Sequence, residues 1–327
     1  MHIVPIDIAR AICIVLVVLG HYIPSNAPDW YIALRSVIYS FHMPIFMFAS
    51  GYVYWVTKKN IPYKDFVWKK FQRLMIPYFF VSTLVISIKL ITERGLLVEA
   101  PVSFAAFYEM FYLPVAGAFA WFIYTLFLIF LIVTWFNSLK KILFLLALAL
   151  VLHFAPLHFP AIFCLGSVKN MLVYFVLGCA ICELAILRHF VNRIHFLFFG
   201  LCFILLYTQF PESRFALALL GIVFVCGLSR FIAQRTALAK KLLLGIAACS
   251  YTIYLFHTTF MGFTKSMLHK ISLTTYIGED GAFAVSVILV VSVGVIAPII
   301  LHKALTTRSK VGSYLIGAKF NPSGRFR

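Results

Sequence analysis

Long apolar runs separated by short polar stretches alternate along almost the whole chain. A run of about 20 apolar residues matches the hydrocarbon thickness of a bilayer when it forms a helix. Ten runs qualify as candidate membrane spans; they cover residues 4–23, 36–57, 72–92, 119–137, 141–155, 168–187, 194–210, 214–232, 245–266 and 282–303. The fifth run is short and the seventh is marginal, so a re-entrant segment remains open there. We therefore expect an all-α bundle of about ten transmembrane helices.

Basic residues concentrate in alternate connections between these spans, which predicts the orientation of the chain. Most Lys and Arg residues lie in the stretches 58–73, 140–141, 188–193, 230–241 and 303–327. The intervening connections carry most of the acids: Asp29, Glu93, Glu99, Glu109, Glu212, Glu279 and Asp280. Positive residues favour the cytoplasmic side, so both termini are predicted to be cytoplasmic. Residues 1–303 then form one transmembrane domain, and residues 304–327 form a short basic cytoplasmic tail.

Composition narrows the class of partner. Hydrophobic residues make up 63% of the chain and charged residues only 12%, with a formal net charge of +18. An excess of positive charge on membrane-flanking loops favours anionic lipid at the cytoplasmic face over nucleic acid. We find no metal-ligand spacing, so no metal is expected.

The first predicted span carries unusual polar residues, Asp7, Arg10 and His21. An Arg at the centre of a membrane helix costs at least ~3 kcal/mol, and less near an end. Eleven residues are close to three helical turns, so Arg10 and His21 share one face about 16 Å apart along the axis. This stripe indicates a functional pathway with a titratable base at its outer end. The alternative is a snorkelling Arg paired with Asp7 and an interfacial His.

The second span brings His42 to about the same depth as His21, because it descends from the outer side. Pro44 frees a backbone carbonyl within the helix, and the Ser50–Gly51 pair permits close helix packing below it. Two histidines at one depth indicate a polar site near the outer leaflet. A single hydrogen bond between helices explains His42 equally well.

The third span begins with Arg73 at the predicted cytoplasmic mouth, with Pro77 one turn above it. Such a basic mouth suits lipid head groups or the phosphates of an anionic cofactor. We favour lipid for the preceding lysines and the cofactor for Arg73. These lysines are Lys58, Lys59, Lys64, Lys69 and Lys70.

Three consecutive motifs, IDIARAICIVLVVLGHY, SFHMPIFMFASGY and RLMIPYF, closely resemble the bacterial membrane O-acyltransferases of acyltransferase family 3. Later segments are also similar to that family, namely AWFIYTL around Trp121, YFVLG at 174–178 and CSYTIYLFH at 249–257. The resemblance implies a multi-pass enzyme of the inner (cytoplasmic) membrane. It would transfer an acyl group, usually acetyl, from cytoplasmic acyl-CoA to a hydroxyl of a cell-surface glycan or glycolipid.

The resemblance also implies residue roles. Arg10 and His21 match the Arg–His motif of the family, and with His42 they are the predicted catalytic residues. Arg73 matches the RLxxPY segment and, with Arg10 and Ser50, is assigned to binding of acetyl-CoA. A neutral imidazole at His21 can take the proton of the acceptor hydroxyl, or it can itself become acylated. The residues leave both routes open.

Other interpretations remain. Buried Arg and His residues also suit a polytopic transporter or proton-coupled flippase, although the two halves of the chain show no evident similarity. A structural or binding protein is the third class. Trp121 suits the acceptor site or an interfacial belt, and His257 is favoured as a structural hydrogen bonder. Glu93, Glu99 and Glu109 are carboxylates on the predicted outer side that are candidates to orient His21.

Overall fold

The computed structural model describes residues 4–24, 27–93, 101–117, 120–184, 195–235, 237–271 and 274–323. Throughout these ranges the secondary structure is helical, and they contain no strand. Helices follow the apolar runs because a helix satisfies every interior backbone N–H and C=O within its own segment, as a lipid environment requires.

Thirteen α-helices lie within the described ranges. In chain order they are α1 (Val4–His21), α2 (Asp29–Thr57), α3 (Tyr63–Lys70), α4 (Ile76–Thr92), α5 (Ala106–Glu109), α6 (Ala120–Val133), α7 (Leu139–Phe154), α8 (Leu165–Glu183), α9 (His195–Gln209), α10 (Arg214–Arg235), α11 (Ala237–Ile271), α12 (Thr274–Arg308) and α13 (Lys310–Leu315). A π-helical turn, Phe71–Met75, joins α3 to α4, and a 3-10 turn, Ile162–Cys164, precedes α8.

Seven helical segments of the described chain are long and apolar enough to cross a membrane. They are Val4–His21, Asp29–Thr57, Tyr63–Thr92, Ile162–Glu183, Arg214–Arg235, Ala237–Ile271 and Gly278–Arg308. Helices α6 and α9 are apolar but shorter, and α7 has 16 residues. The all-helical membrane architecture is thus as expected, whereas the count of ten spans and the cytoplasmic termini stay predictions.

The π-helical turn at Phe71–Met75 is the feature that the sequence pattern did not predict. Its cause is readable in the sequence, since Pro77 has no N–H to donate to the carbonyl of Arg73 four residues earlier. A widened turn at this point relieves the helix, and π-turns of this kind occur often at functional sites. Arg73 lies at the centre of the turn and its side chain is exposed.

Helices α2 and α8 make the closest backbone approach in the bundle, at two glycines. A Cβ atom on Gly51 would lie 1.9 Å from the carbonyl oxygen of Phe175, and one on Gly178 would lie 2.1 Å from that of Phe48. The thiol of Cys179 also lies 3.3 Å from the carbonyl oxygen of Gly51, to which it donates. Only glycine fits at such a crossing, which confirms the close packing expected below His42.

Helices α1, α2, α11 and α12 pack together and carry the polar residues of the first span and its neighbours. Arg10 contacts Ser250 and His21 contacts His257, so α1 and α11 run in the same direction. The first turns of α2 lie beside the end of α1, since Tyr31 and Arg35 donate to the carbonyls of Leu19 and Gly20. This arrangement places two polar clusters along the α1–α11 pair, eleven residues apart on α1 and seven residues apart on α11.

Candidate active site

The first polar group, here called the histidine cluster, consists of His21, Tyr39, His42 and His257 from α1, α2 and α11. The rings of His21 and His257 meet edge-to-face with centroids 5.0 Å apart. The Tyr39 ring contacts both His21 and His42, with ring centroids 6.1 Å and 4.9 Å apart respectively. The structure therefore brings the two predicted histidines together and adds a third from a distant part of the chain.

Each histidine of the cluster is held by the backbone of its own helix. The Nδ1 atoms of His21 and His42 lie 2.8 and 2.7 Å from the carbonyl oxygens of Val17 and Ile38, one turn earlier. A carbonyl only accepts, so Nδ1 must carry the proton in each ring. In the neutral ring Nε2 then holds the lone pair, and it faces away from the helix backbone. This is the tautomer that a general base requires.

Burial distinguishes the three histidines. His42 is 2% exposed and His257 is 0% exposed, whereas His21 is only partly buried. Of the three rings, His21 is thus the one that a substrate can reach. Tyr39 and Arg35 line the same edge: the Arg35 guanidinium lies 5.4 Å from the Tyr39 ring centroid and is near enough to His21 for an electrostatic interaction.

The second group, here called the arginine cluster, consists of Asp7, Arg10, Arg73, Ser250 and Tyr251. Arg10 donates to Asp7 at 3.3 Å and to the Ser250 hydroxyl at 2.9 Å. Arg73 is near enough to both Arg10 and Tyr251 for electrostatic interaction. The Tyr251 hydroxyl donates to the carbonyl of Leu74, next to Arg73 in the π-turn, at 3.3 Å.

The arginine cluster carries an excess of positive charge. The cluster holds two guanidinium groups and a single carboxylate, Asp7, which pairs with Arg10, and in the described part of the chain no acid forms an ion pair with Arg73. Placing two cations close together is unfavourable unless an anion lies between or beside them. The cluster is partly open, since the Arg10 side chain is 31% exposed. This combination can bind an anionic ligand such as a phosphate.

The other predicted residues occupy different places. Ser50 lies on α2 beside the Gly51 crossing and is partly buried, with no contact to the arginine cluster among the described hydrogen bonds. Trp121 packs partly buried against the core. Glu93 is exposed and Glu109 is partly buried, and Glu99 lies outside the described residues. The group that orients the His21 ring at Nδ1 is the Val17 carbonyl.

Sequence reasoning missed Ser250, Tyr251, Tyr39 and Arg35, and it gave His257 a structural role only. A signal existed for three of these residues, because Ser250, Tyr251 and His257 all lie in the CSYTIYLFH segment. Ser250 and Tyr251 precede His257 by seven and six positions, about two helical turns, so one helix can contribute to both clusters. Within the described residues, no three His, Cys, Asp or Glu side chains are grouped as metal ligands would be.

These features define a multi-pass helical membrane protein with a histidine cluster and a positively charged arginine cluster on shared helices. A family model described as an acyltransferase domain matches residues 3–303. The chain belongs to this family, acyltransferase family 3, and is a membrane acyltransferase, which confirms the assignment from its motifs. No curated protein and no solved structure matches it.

Proposed function

We propose that the protein transfers an acyl group, acetyl in the first instance, from acyl-CoA to a hydroxyl of a cell-surface glycan or glycolipid. Helix α1 carries the observation on which the proposal depends. It presents Arg10 within a cluster of excess positive charge and, about 16 Å away along its axis, His21 with an accepting Nε2. The proposed setting is the cytoplasmic membrane, with the arginine cluster on the cytoplasmic side.

Acyl-CoA suits this geometry because it is anionic at its nucleotide end and thin along its pantetheine arm. Arg10 and Arg73 would hold phosphates, and the arginine fork allows two parallel hydrogen bonds to each phosphate. The pantetheine arm would run along α1 and α11 and carry the thioester toward His21. Ser50 stays a proposed contact of the donor on the α2 side. The lysine-rich stretch 58–70 would bind anionic lipid.

In the proposed reaction, Nε2 of His21 takes the proton of the acceptor hydroxyl as its oxygen attacks the thioester carbonyl. A C–O bond forms, the C–S bond breaks, and the proton passes from the imidazolium to the departing thiolate, giving an ester and CoA. Arg35, which is close to His21, would stabilise the negative charge that develops on the thioester oxygen. His42 and His257 pack around His21 and exclude water from it, while Arg10 acts through the donor.

Direct transfer and an acyl-histidine intermediate both use these residues. In the second route, Nε2 of His21 attacks the thioester itself, releases CoA, and passes the acyl group to the hydroxyl in a second step. Rapid quenching of the protein with labelled acetyl-CoA, in the absence of any acceptor, separates the two. A labelled histidine peptide supports the intermediate, and its absence supports direct transfer.

The test of the function uses the purified full chain in lipid nanodiscs with acetyl-CoA and a panel of glycan and glycolipid acceptors. We expect release of CoA thiol that depends on the acceptor, together with an acceptor that gains an acetyl group by mass spectrometry. If no acceptor promotes CoA release and the protein moves a solute or lipid across liposomes, the transporter interpretation replaces this one.

A further inference from the structure

The chain after α12 is a folded segment with both of its helix ends capped. Ser309 is the N-cap of α13 and accepts from the N–H of Gly312 at 2.9 Å. At the other end, the N–H of Gly317 donates to Tyr314 at 3.0 Å and that of Ala318 to Ser313 at 2.9 Å. This pair of bonds with a left-handed glycine, φ 67° at Gly317, is a Schellman motif.

The capped segment packs against the bundle at the arginine cluster. Ile316 is fully buried within the main hydrophobic core. A Cβ atom on Gly317 would lie 2.5 Å from the carbonyl oxygen of Arg73, 2.9 Å from the Tyr251 ring and 3.0 Å from the Pro77 ring. Further along, the N–H of Asn321 donates to the carbonyl of Thr306 at 2.8 Å, which ties the segment back to α12.

The chain passes close to the Arg73 carbonyl at Gly317. Pro77 cannot donate to the Arg73 carbonyl as a regular helix residue would, and the backbone of Gly317 lies against this oxygen. The Cα of Gly317 comes close to the oxygen, and such Cα–H···O contacts recur where backbones meet closely. Any side chain at this position would both strain the positive φ and push the segment away.

We propose that the segment 309–321 is a fixed wall of the donor site and that its docking through Gly317 sets the affinity for acyl-CoA. It holds the π-turn, and with it the backbone of Arg73, against Tyr251 of α11. This inference depends on the proposed function, because the ligand of the site is the proposed acyl donor. Gly317 and Tyr251 act as positioning residues, through Arg73.

The experiment compares Gly317→Ala with the wild-type chain in nanodiscs by calorimetric titration with CoA. We expect affinity to fall by roughly tenfold. The matched control is Gly262→Ala on α11, where an added Cβ meets nothing within 4 Å and where CoA affinity is expected to be unchanged. Asn321→Pro, which removes the N–H that donates to Thr306, should weaken binding in the same direction without altering the bundle.

Two further readouts separate positioning from general damage. Trypsin cleavage after Lys319 should accelerate in Gly317→Ala, since the segment undocks while the bundle stays folded. On an Arg73→Ala background, Gly317→Ala should cost little further affinity, because residues acting through one contact are not additive.

The failures are distinguishable. A wild-type chain that does not bind CoA overturns the proposed donor. A wild-type chain that binds CoA, with Gly317→Ala binding equally well or with the losses of Gly317→Ala and Arg73→Ala fully additive, overturns this inference alone.

Discussion

The histidine and arginine clusters share helices α1 and α11 but differ in charge, burial and the way their side chains are held. In the histidine cluster, His21, His42 and His257 each bond to a carbonyl of their own helix, and two of the rings are buried. In the arginine cluster, Arg10 depends on partners from its own helix and from α11, and Arg73 is exposed.

This difference indicates different demands on the two sites. A ring fixed by its own helix keeps its tautomer and direction without any ligand, which is what proton transfer at a fixed position requires. A partly open site with uncompensated positive charge is completed by an anionic ligand and is sensitive to salt. Under the proposed function, the molecule thus joins a pre-organised catalytic cluster to a binding cluster that its ligand completes, and the following predictions act on one cluster or on both.

The largest effect is expected for Gly51→Ala, which should remove both clusters together. The added methyl would overlap the Phe175 carbonyl at 1.9 Å, and a backbone cannot rotate away as a side chain can. The cost should exceed the ~1–3 kcal/mol typical of overpacking. Thermal unfolding of the detergent-purified protein measures it. Gly166→Ala on α8, with nothing within 4 Å of its added Cβ, is the control, and equal melting of the two variants would contradict the crossing.

The next largest effect is expected for His21→Ala and His21→Gln, which should reduce acyl transfer by about 10²–10⁴-fold, the usual worth of a general base. Both variants should bind CoA normally, because the arginine cluster is intact. Glutamine preserves polarity and approximate bulk but cannot accept a proton at neutral pH. The exposed His158 gives the control, as His158→Gln should leave the rate unchanged. Near-normal transfer by His21→Gln would make this ring a structural hydrogen bonder.

The pH dependence of the wild-type rate also tests whether His21 acts as the general base. Protonation of Nε2 removes the lone pair, so the rate should fall as the pH is lowered and recover as it is raised. CoA affinity measured over the same range should change much less, because guanidinium groups stay charged throughout. An acidic limb that appears in CoA binding as strongly as in the rate would locate the titrating group outside the histidine cluster.

A smaller effect is expected for Arg73→Ala, which should weaken CoA binding with little change in the rate at saturation. Arg73→Lys should restore part of the affinity, because a point charge does not reproduce the bidentate fork. Titration at low and high salt measures both, and the loss should shrink as salt rises. Arg235→Ala, at the end of α10, is the control. Unchanged CoA affinity in Arg73→Ala would assign this residue to lipid anchoring.

The last and smallest expected effect is that the cysteine of Lys64→Cys is not labelled by a thiol reagent added outside the cell. The skew of basic residues predicts that the stretch 58–73 lies on the cytoplasmic side, so an impermeant thiol reagent added outside intact cells should not reach this position. Permeabilised cells should show full labelling. Because the chain has seven cysteines, the comparison needs the parent protein as a background control. Labelling from outside would reverse the orientation and place the arginine cluster away from cytoplasmic acyl-CoA.

The sequence predicted the helical segments and the placement of Arg10 and His21 on one face of α1, because apolar runs and a three-turn spacing are local properties. Contacts between helices could not be predicted in this way. The convergence of His257 on His21 and of Ser250 on Arg10 depends on α11 packing beside α1, and no local pattern encodes that neighbour. The Gly317 contact could not be predicted either. A basic stretch after the last span is typical of a solvated tail, and only the structure shows that Gly317 lies against the Arg73 carbonyl.

The Gly51–Gly178 crossing also determines how the bundle can move. The two backbones are in direct contact at these glycines, and the crossing can therefore serve as a pivot about which α2 and α8 rotate. His42 lies nine residues from this pivot, a lever of about 13 Å, so that a tilt of about 5° displaces it by roughly 1 Å. A shift of that size is enough to misalign a reacting geometry by a factor of about 10² in rate. A pivot this close to the histidine cluster keeps the lever short, so the precision of the proposed catalytic geometry depends on two residues that carry no side chain.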